Sequence, residues 1–109
     1  MMKEPSDIVV LITTSGEEEA HRIAGLLLSQ RRAACVNIVP KVDSLFWWQG
    51  KPDSAKESLL IIKTKASLLP EIVSLVKETH SYKVPEVIGL PIIGGNEDYL
   101  KWIDSEVEG

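Results

Sequence analysis

A chain of 109 residues, 44% apolar and 26% charged, has enough material for one hydrophobic core and too little for two. Its formal net charge of -4, with Arg31-Arg32 the one tight basic pair, argues against a nucleic-acid-binding surface. No apolar run approaches the ~20 residues needed to span a bilayer, and Cys35, the single cysteine, excludes a disulfide framework and a thiolate cluster for zinc.

In chain order, Met1 to Asp7 is short and polar, contains Pro5 and does not read as a signal peptide, so the expected compartment is a reducing cytoplasm. Ile8 to Ile12 is an unbroken apolar run closed by Thr13-Thr14, the pattern of a strand covered on both faces. Ser15 opens a helix. Glu18 stands three residues on, as in a capping box, and Glu17, Glu18 and Glu19 all suit the positive helix N-terminus. Ala20, Ile23, Ala24 and Leu27 recur at helical spacing, and Arg31-Arg32 suit the negative end. Ala34 to Asp43 reads as a second strand, broken or bulged at Pro40, with Cys35 as a core thiol.

Leu45 to Trp48 follows, then a turn region from Gly50 to Ser54. Side chains alternate along a strand, so no single buried face hides Phe46, Trp47 and Trp48 together. Their combined surface is on the order of 600 Å², at ~150–250 Å² each. One side is expected to pack into the chain's own core and the other against a second copy, which makes the three residues interface anchors.

Ser58 to Lys65 is the third main strand. Ser67 is placed to cap a second helix, with Pro70 in its first turn, Leu69, Ile72, Val73 and Val76 as its buried stripe, and an end near His80 ahead of Pro85. Glu86 to Ile93, with Gly89 and Pro91 inside it, reads as an edge or irregular strand. After the Gly94-Gly95 turn, Asn96 caps a last helix with Tyr99, Leu100, Ile103 and Val107 as its stripe and Trp102 offset from it.

The order β-α-β-β-α-β with an appended helix is the α+β, ferredoxin-like arrangement, here one domain over residues 1–109 with its core at about 8–107. In that arrangement the first and third strands are central and both helices lie on one face. These are the two strands that are apolar on both sides. The open face therefore needs a cover, and a homo-oligomer supplies one.

Several segments also share a pattern: Ala33 to Pro40, Ser44 to Lys51, Ile62-Lys63-Thr64, His80-Ser81-Tyr82, Pro85-Glu86 and Tyr99 to Ile103. In order and spacing they resemble the CutA family of divalent-cation tolerance proteins from about Ile8 to Val107. The resemblance implies a homotrimer, with an extended hairpin between the second and third strands reaching to neighbouring subunits, and a link to copper or another divalent cation. Two departures stand out. The family pattern reads His-Pro-Tyr where this chain has His80-Ser81-Tyr82, and a first-strand Cys of some metal-binding members is absent around Ile12, removing the soft donor that favours Cu(I).

His80 and Glu86 are the candidate metal ligands. An imidazole and a carboxylate suit Cu(II) or Zn(II), and the segment between them can turn both toward one point. The alternative is a helix-terminal His and an ordinary strand-end Glu. Lys63, Tyr82 and Trp102 are cleft candidates for a second functional reading, a small-molecule or anion sensor shaped like the PII trimers, with ligand sites between subunits. No Gly-x-Ser-x-Gly or His-Glu-x-x-His pattern is present. Neither catalysis nor an organic cofactor is expected. The expected partners are further copies of the chain and a metal ion, Cu(II) or another divalent cation, with no nucleic acid and no membrane.

Overall fold

Residues 6–108 are described by a computed structural model; Met1–Pro5, including most of the polar N-terminal stretch, and Gly109 lie outside it. The elements run β1 (Asp7–Thr14), α1 (Glu17–Ser29), β2 (Cys35–Trp48), β3 (Lys51–Lys65), a 3-10 turn (Ala66–Leu68), α2 (Leu69–Thr79), β4 (Val87–Pro91) and α3 (Glu97–Glu106). The strands form one antiparallel sheet in the order β2-β3-β1-β4. The first and third strands are thus central, as the ferredoxin-like order requires.

Alternation along the central strands decides where the core lies. Val10 and Ile12 of β1 and Leu60 and Ile62 of β3 are fully buried, in one cluster with Ile23 and Leu27 of α1 and Ile72 and Val76 of α2. Ile62→Ala should therefore lower stability by about 3 kcal/mol, through lost burial and an unfilled cavity, as measured by urea unfolding. The in-between residues, Val9, Leu11, Leu59 and Ile61, point to the other face, where Ile88 and Leu90 of β4 stand opposite β1 and are about half exposed at 48% and 47%.

Several local expectations are corrected. The β2–β3 hairpin is longer than expected: β3 starts at Lys51 rather than Ser58, and the turn shrinks to Gln49-Gly50. Both turn residues take positive φ (50° and 79°), the conformation whose twist matches a tight hairpin. Pro52 is tolerated because β1 pairs with β3 only from Ser58 onward, which leaves the arm a two-stranded ribbon with a free edge. The bulge falls between Val39 and Val42, where Pro40 was expected to cause one, with Lys41 at φ 57°.

The arm projects past the helix layer, so neither of its faces reaches the core. Leu45, Phe46, Trp47 and Trp48 are 82%, 39%, 75% and 50% exposed. The expectation that one side of the aromatic triplet packs into the chain's own core is overturned. Cys35, expected in the core, is only partly buried at the start of edge strand β2.

Helix starts also differ. Ser15 bonds to Glu19 rather than Glu18, through both its N–H and its hydroxyl, and Gly16 occupies the cap position of α1. Ser67 makes no side-chain cap; the 3-10 turn leads into α2 instead. Asn96 does cap α3, its side chain accepting from the Asp98 N–H at 3.0 Å.

The helix α1 ends in a Schellman turn, with Arg31 N–H on Leu28 O and Arg32 N–H on Leu27 O. Arg31 sits there at φ 57°, a position that favours glycine. Its guanidinium offsets that cost by binding Glu106 Oε2 at 3.0 Å and the Glu106 carbonyl at 3.1 Å, which ties the end of α3 to α1.

Candidate functional site

Where α2 ends, the chain must cross from the helix layer to the edge strand β4, and residues 80–86 make that crossing. A polar network centred on the buried Glu19 carboxylate holds the segment. Glu19, 7% exposed, accepts from Ser15 N and Oγ at 3.0 and 3.1 Å, and from Ser81 N and Oγ at 2.8 and 3.1 Å. Arg22 adds an ion pair at 3.3 Å. Burial alone pushes the Glu19 carboxyl up, but the hydrogen bonds from Ser15 and Ser81 outweigh it and hold the group at about 2. Ser81 stands where the family pattern has Pro, and a Pro there could not donate the N–H bond.

His80 is fully buried at its side chain. Its Nε2 lies 2.8 Å from the Thr13 carbonyl, and its Nδ1 accepts from the Tyr82 N–H at 2.9 Å. An Nδ1 that accepts carries no proton, so the ring is the neutral tautomer donating from Nε2. Neither nitrogen is free to ligate a metal without giving up a backbone bond. Among the described residues, no group of three His, Cys, Asp or Glu is gathered to hold a metal ion. The imidazole fixes the loop and packs against the Tyr82 ring, with centroids 4.7 Å apart and planes tilted by 45°.

Tyr82 and Glu86 project from this loop into a cleft of about 800 Å³ between the loop and the base of the hairpin arm. Its wall includes Thr13, Phe46, Trp48 and Glu57. Glu57 is 8% exposed, and Tyr82 Oη donates to its Oε2 at 2.9 Å. Burial, then the hydrogen bond and charge of Glu57, push the Tyr82 phenol up to about 12. The Glu86 carboxyl is raised by burial first and by the charge of Glu57 second. Asp43 and Asp53 also line the cleft, with Asp43 ion-paired to Lys56 at 2.6 Å, so its four carboxylates outnumber the nearby cations Lys83 and Lys56. The field inside is negative. A cation is favoured there and an anion is not.

Of the residues singled out from the sequence, Glu86 and Tyr82 share this cleft, and Phe46 and Trp48 form part of its wall. Lys63 and Trp102 do not join them within one chain. Lys63 is hydrogen-bonded to Asn37 on the open sheet face, opposite Cys35 in register. Trp102 stacks on Tyr99 of α3 at 5.4 Å. Glu57 was missed because an acid after Lys56 in a polar stretch looks solvated; only its partnership with Tyr82, 25 residues away, marks it. Glu19 was read as a helix-terminal charge for a similar reason.

The comparisons with known proteins agree with this architecture. Residues 8–106 match the family described as CutA1 divalent ion tolerance protein. The chain is 52% identical over 96 residues to chloroplastic Protein CutA 1 of Oryza sativa subsp. japonica, covering 88% of this chain and 54% of that protein. It thus spans about half of the plant protein. It is 47% identical over 95 residues to the divalent-cation tolerance protein CutA of Thermus thermophilus, covering 87% of this chain and 92% of that one. The crystal structure of CutA1 from Oryza sativa superposes with a TM-score of 0.92 at 48% identity, covering 96% of each chain. By its sequence and its fold, the chain belongs to the CutA1 divalent ion tolerance protein family.

Proposed function

We propose that the chain serves divalent-cation tolerance as a homotrimer, and that the Glu57–Glu86 cleft takes the cation, Cu(II) or another divalent ion. The observation that carries this reading is the pair of carboxylates in one cleft, with the Glu86 carboxyl raised by burial and then by the charge of Glu57. A cation that neutralises both relieves that repulsion, and oxygen-rich donors suit hard and borderline divalent ions. His80 enters as the support of Tyr82 rather than as a ligand. The trimer rests on the exposed aromatic arm and the apolar open face, two surfaces one chain leaves uncovered. The PII-like reading puts an anion or nucleotide between subunits at Lys63, Tyr82 and Trp102; of these only Tyr82 lies at the cleft, where carboxylates outnumber lysines.

Titration of the trimer with Zn(II) and Cu(II) in native mass spectrometry and calorimetry tests the site. Glu57→Gln with Glu86→Gln should weaken cation binding by at least about tenfold, the loss of roughly one charged contact. Affinity should also rise with pH through the carboxylate range, because the cation displaces a proton from a Glu86 whose pKa is raised. Equal affinity for the double variant and wild type would exclude the cleft as the site. A melting-point rise with phosphate or nucleotide, and none with either metal, would favour the sensor instead.

A further inference from the structure

At the end of the open face away from the cleft, α3 lies across the sheet, and one contact there is unusual. Asp7 begins β1, and by strand alternation its side chain points to the same face as Val9 and Lys63. It is 6% exposed. The Asp104 carboxyl of α3 lies within hydrogen-bonding reach of it. Among the described residues, the Oδ1 atoms of both are buried without a hydrogen-bond partner. Two ionised carboxylates cannot hydrogen-bond each other and repel at this range, whereas one shared proton turns the same contact into a strong charge-assisted O–H···O bond.

We propose that Asp7 and Asp104 form a proton-operated latch that holds α3 against the open face of the sheet.

Among the described residues, Lys63 shares the sheet face of Asp7, and Lys101 stands one turn before Asp104 on α3. Lys65 of β3 stands opposite Asp7 in the ladder and favours its ionised form. Neither β4 nor the Ala66–Leu68 turn contains a titratable side chain. Burial, then the hydrogen bond and charge of Asp104, push the Asp7 carboxyl up to about 6 against the pull of Lys65. The folded chain therefore holds its proton more tightly than the unfolded chain does. Stability from the latch is fully present below the ordinary aspartate range and is lost as pH rises through about 6.

The release is local. Arg31 grips Glu106, and the Glu108 N–H bonds to the Arg31 carbonyl, so the C-terminal end of α3 stays tethered on the acid and the alkaline side alike. What loosens is the turn of α3 that carries Asp104, just ahead of that tether.

Hydrogen exchange read by mass spectrometry on the full chain, corrected for the intrinsic pH dependence of exchange, tests the latch. Protection of the α3 amides should fall about tenfold between about pH 5 and about pH 8, the part of the release that lies inside this window for a folded carboxyl at about 6. In Asp104→Asn the amide donates to the Asp7 carboxylate at every pH, so the fall should vanish; Asp7→Asn, the reciprocal variant, should behave alike. A carboxyl NMR titration of wild type should place the Asp7 midpoint near 6. Constant α3 protection across this range in wild type, a fall of equal size in both variants, or an ordinary aspartate midpoint would each overturn the proposal.

Discussion

Glu19→Ala is expected to destabilise the chain by about 2 kcal/mol, because it takes the shared acceptor from two backbone donors and removes a buried charge from its hydrogen-bonded partners. The donors are the N–H groups of Ser15 and Ser81, which both end on this one carboxylate. Urea unfolding of the variant checks the magnitude. Glu19→Gln keeps the acceptor oxygen and loses the charge, and should cost about half as much.

The pH dependence of the same contribution has a definite sign. The folded value of Glu19, about 2, lies below its ordinary 4.5, so the contribution is complete above the ordinary value and disappears as pH falls through about 2. The stability gap between wild type and Glu19→Ala should therefore close in acid and stay constant near neutrality. A gap that widens in acid would contradict the network as described. The effect reaches the cleft, because Ser81 and His80 fix the backbone that carries Tyr82. Cation affinity should thus drop in Glu19→Ala even though Glu19 is not among the cleft-lining residues.

The second large effect concerns assembly. Trp47→Ala combined with Trp48→Ala should weaken subunit association about a thousandfold, taking about 2 kcal/mol per truncated anchor. The fold of the subunit should survive, because these side chains are 75% and 50% exposed within one chain. Sedimentation over a range of concentrations separates the two effects. A double variant that sediments as wild type does would sink the arm as an interface, and a monomeric wild type would sink the trimer. Far-UV circular dichroism of the variant should match that of wild type.

Much of this fold could be read from residue order. The unbroken runs at Ile8–Ile12 and Leu59–Ile62 fall on the two central strands, whose helix-facing side chains are buried while the alternate ones stay partly exposed on the open face. Asn96 was legible as a cap because its oxygen and the N–H it satisfies are two residues apart. Ser15 was half legible. A capping box with Glu18 and a bond to Glu19 differ by one residue, and the choice is made by Ser81, 62 residues from Glu19. The hairpin was read too short because Pro52 and Asp53 look like turn residues; a ribbon that no third strand flanks tolerates them.

The candidate site divides in the same way. Glu86 and Tyr82 stood out as polar groups beside a turn, and both line the cleft. His80 has the composition of a ligand, but the carbonyl of Thr13 and the N–H of Tyr82 occupy its two nitrogens. Glu57 and Asp104 carried no signal, since each gains its role from a partner distant in the chain.

The sequence by itself determined the elements, their order, the family and the surplus of apolar surface that one chain cannot bury, because periodicity and capping are local in the chain. Only the tertiary structure decided which carboxylates meet, which imidazole is already spent and that the aromatic arm stands free of its own core. Those outcomes depend on distances between residues far apart in sequence, and the energy of a buried charge or an unpaired donor is set by the few ångströms around it.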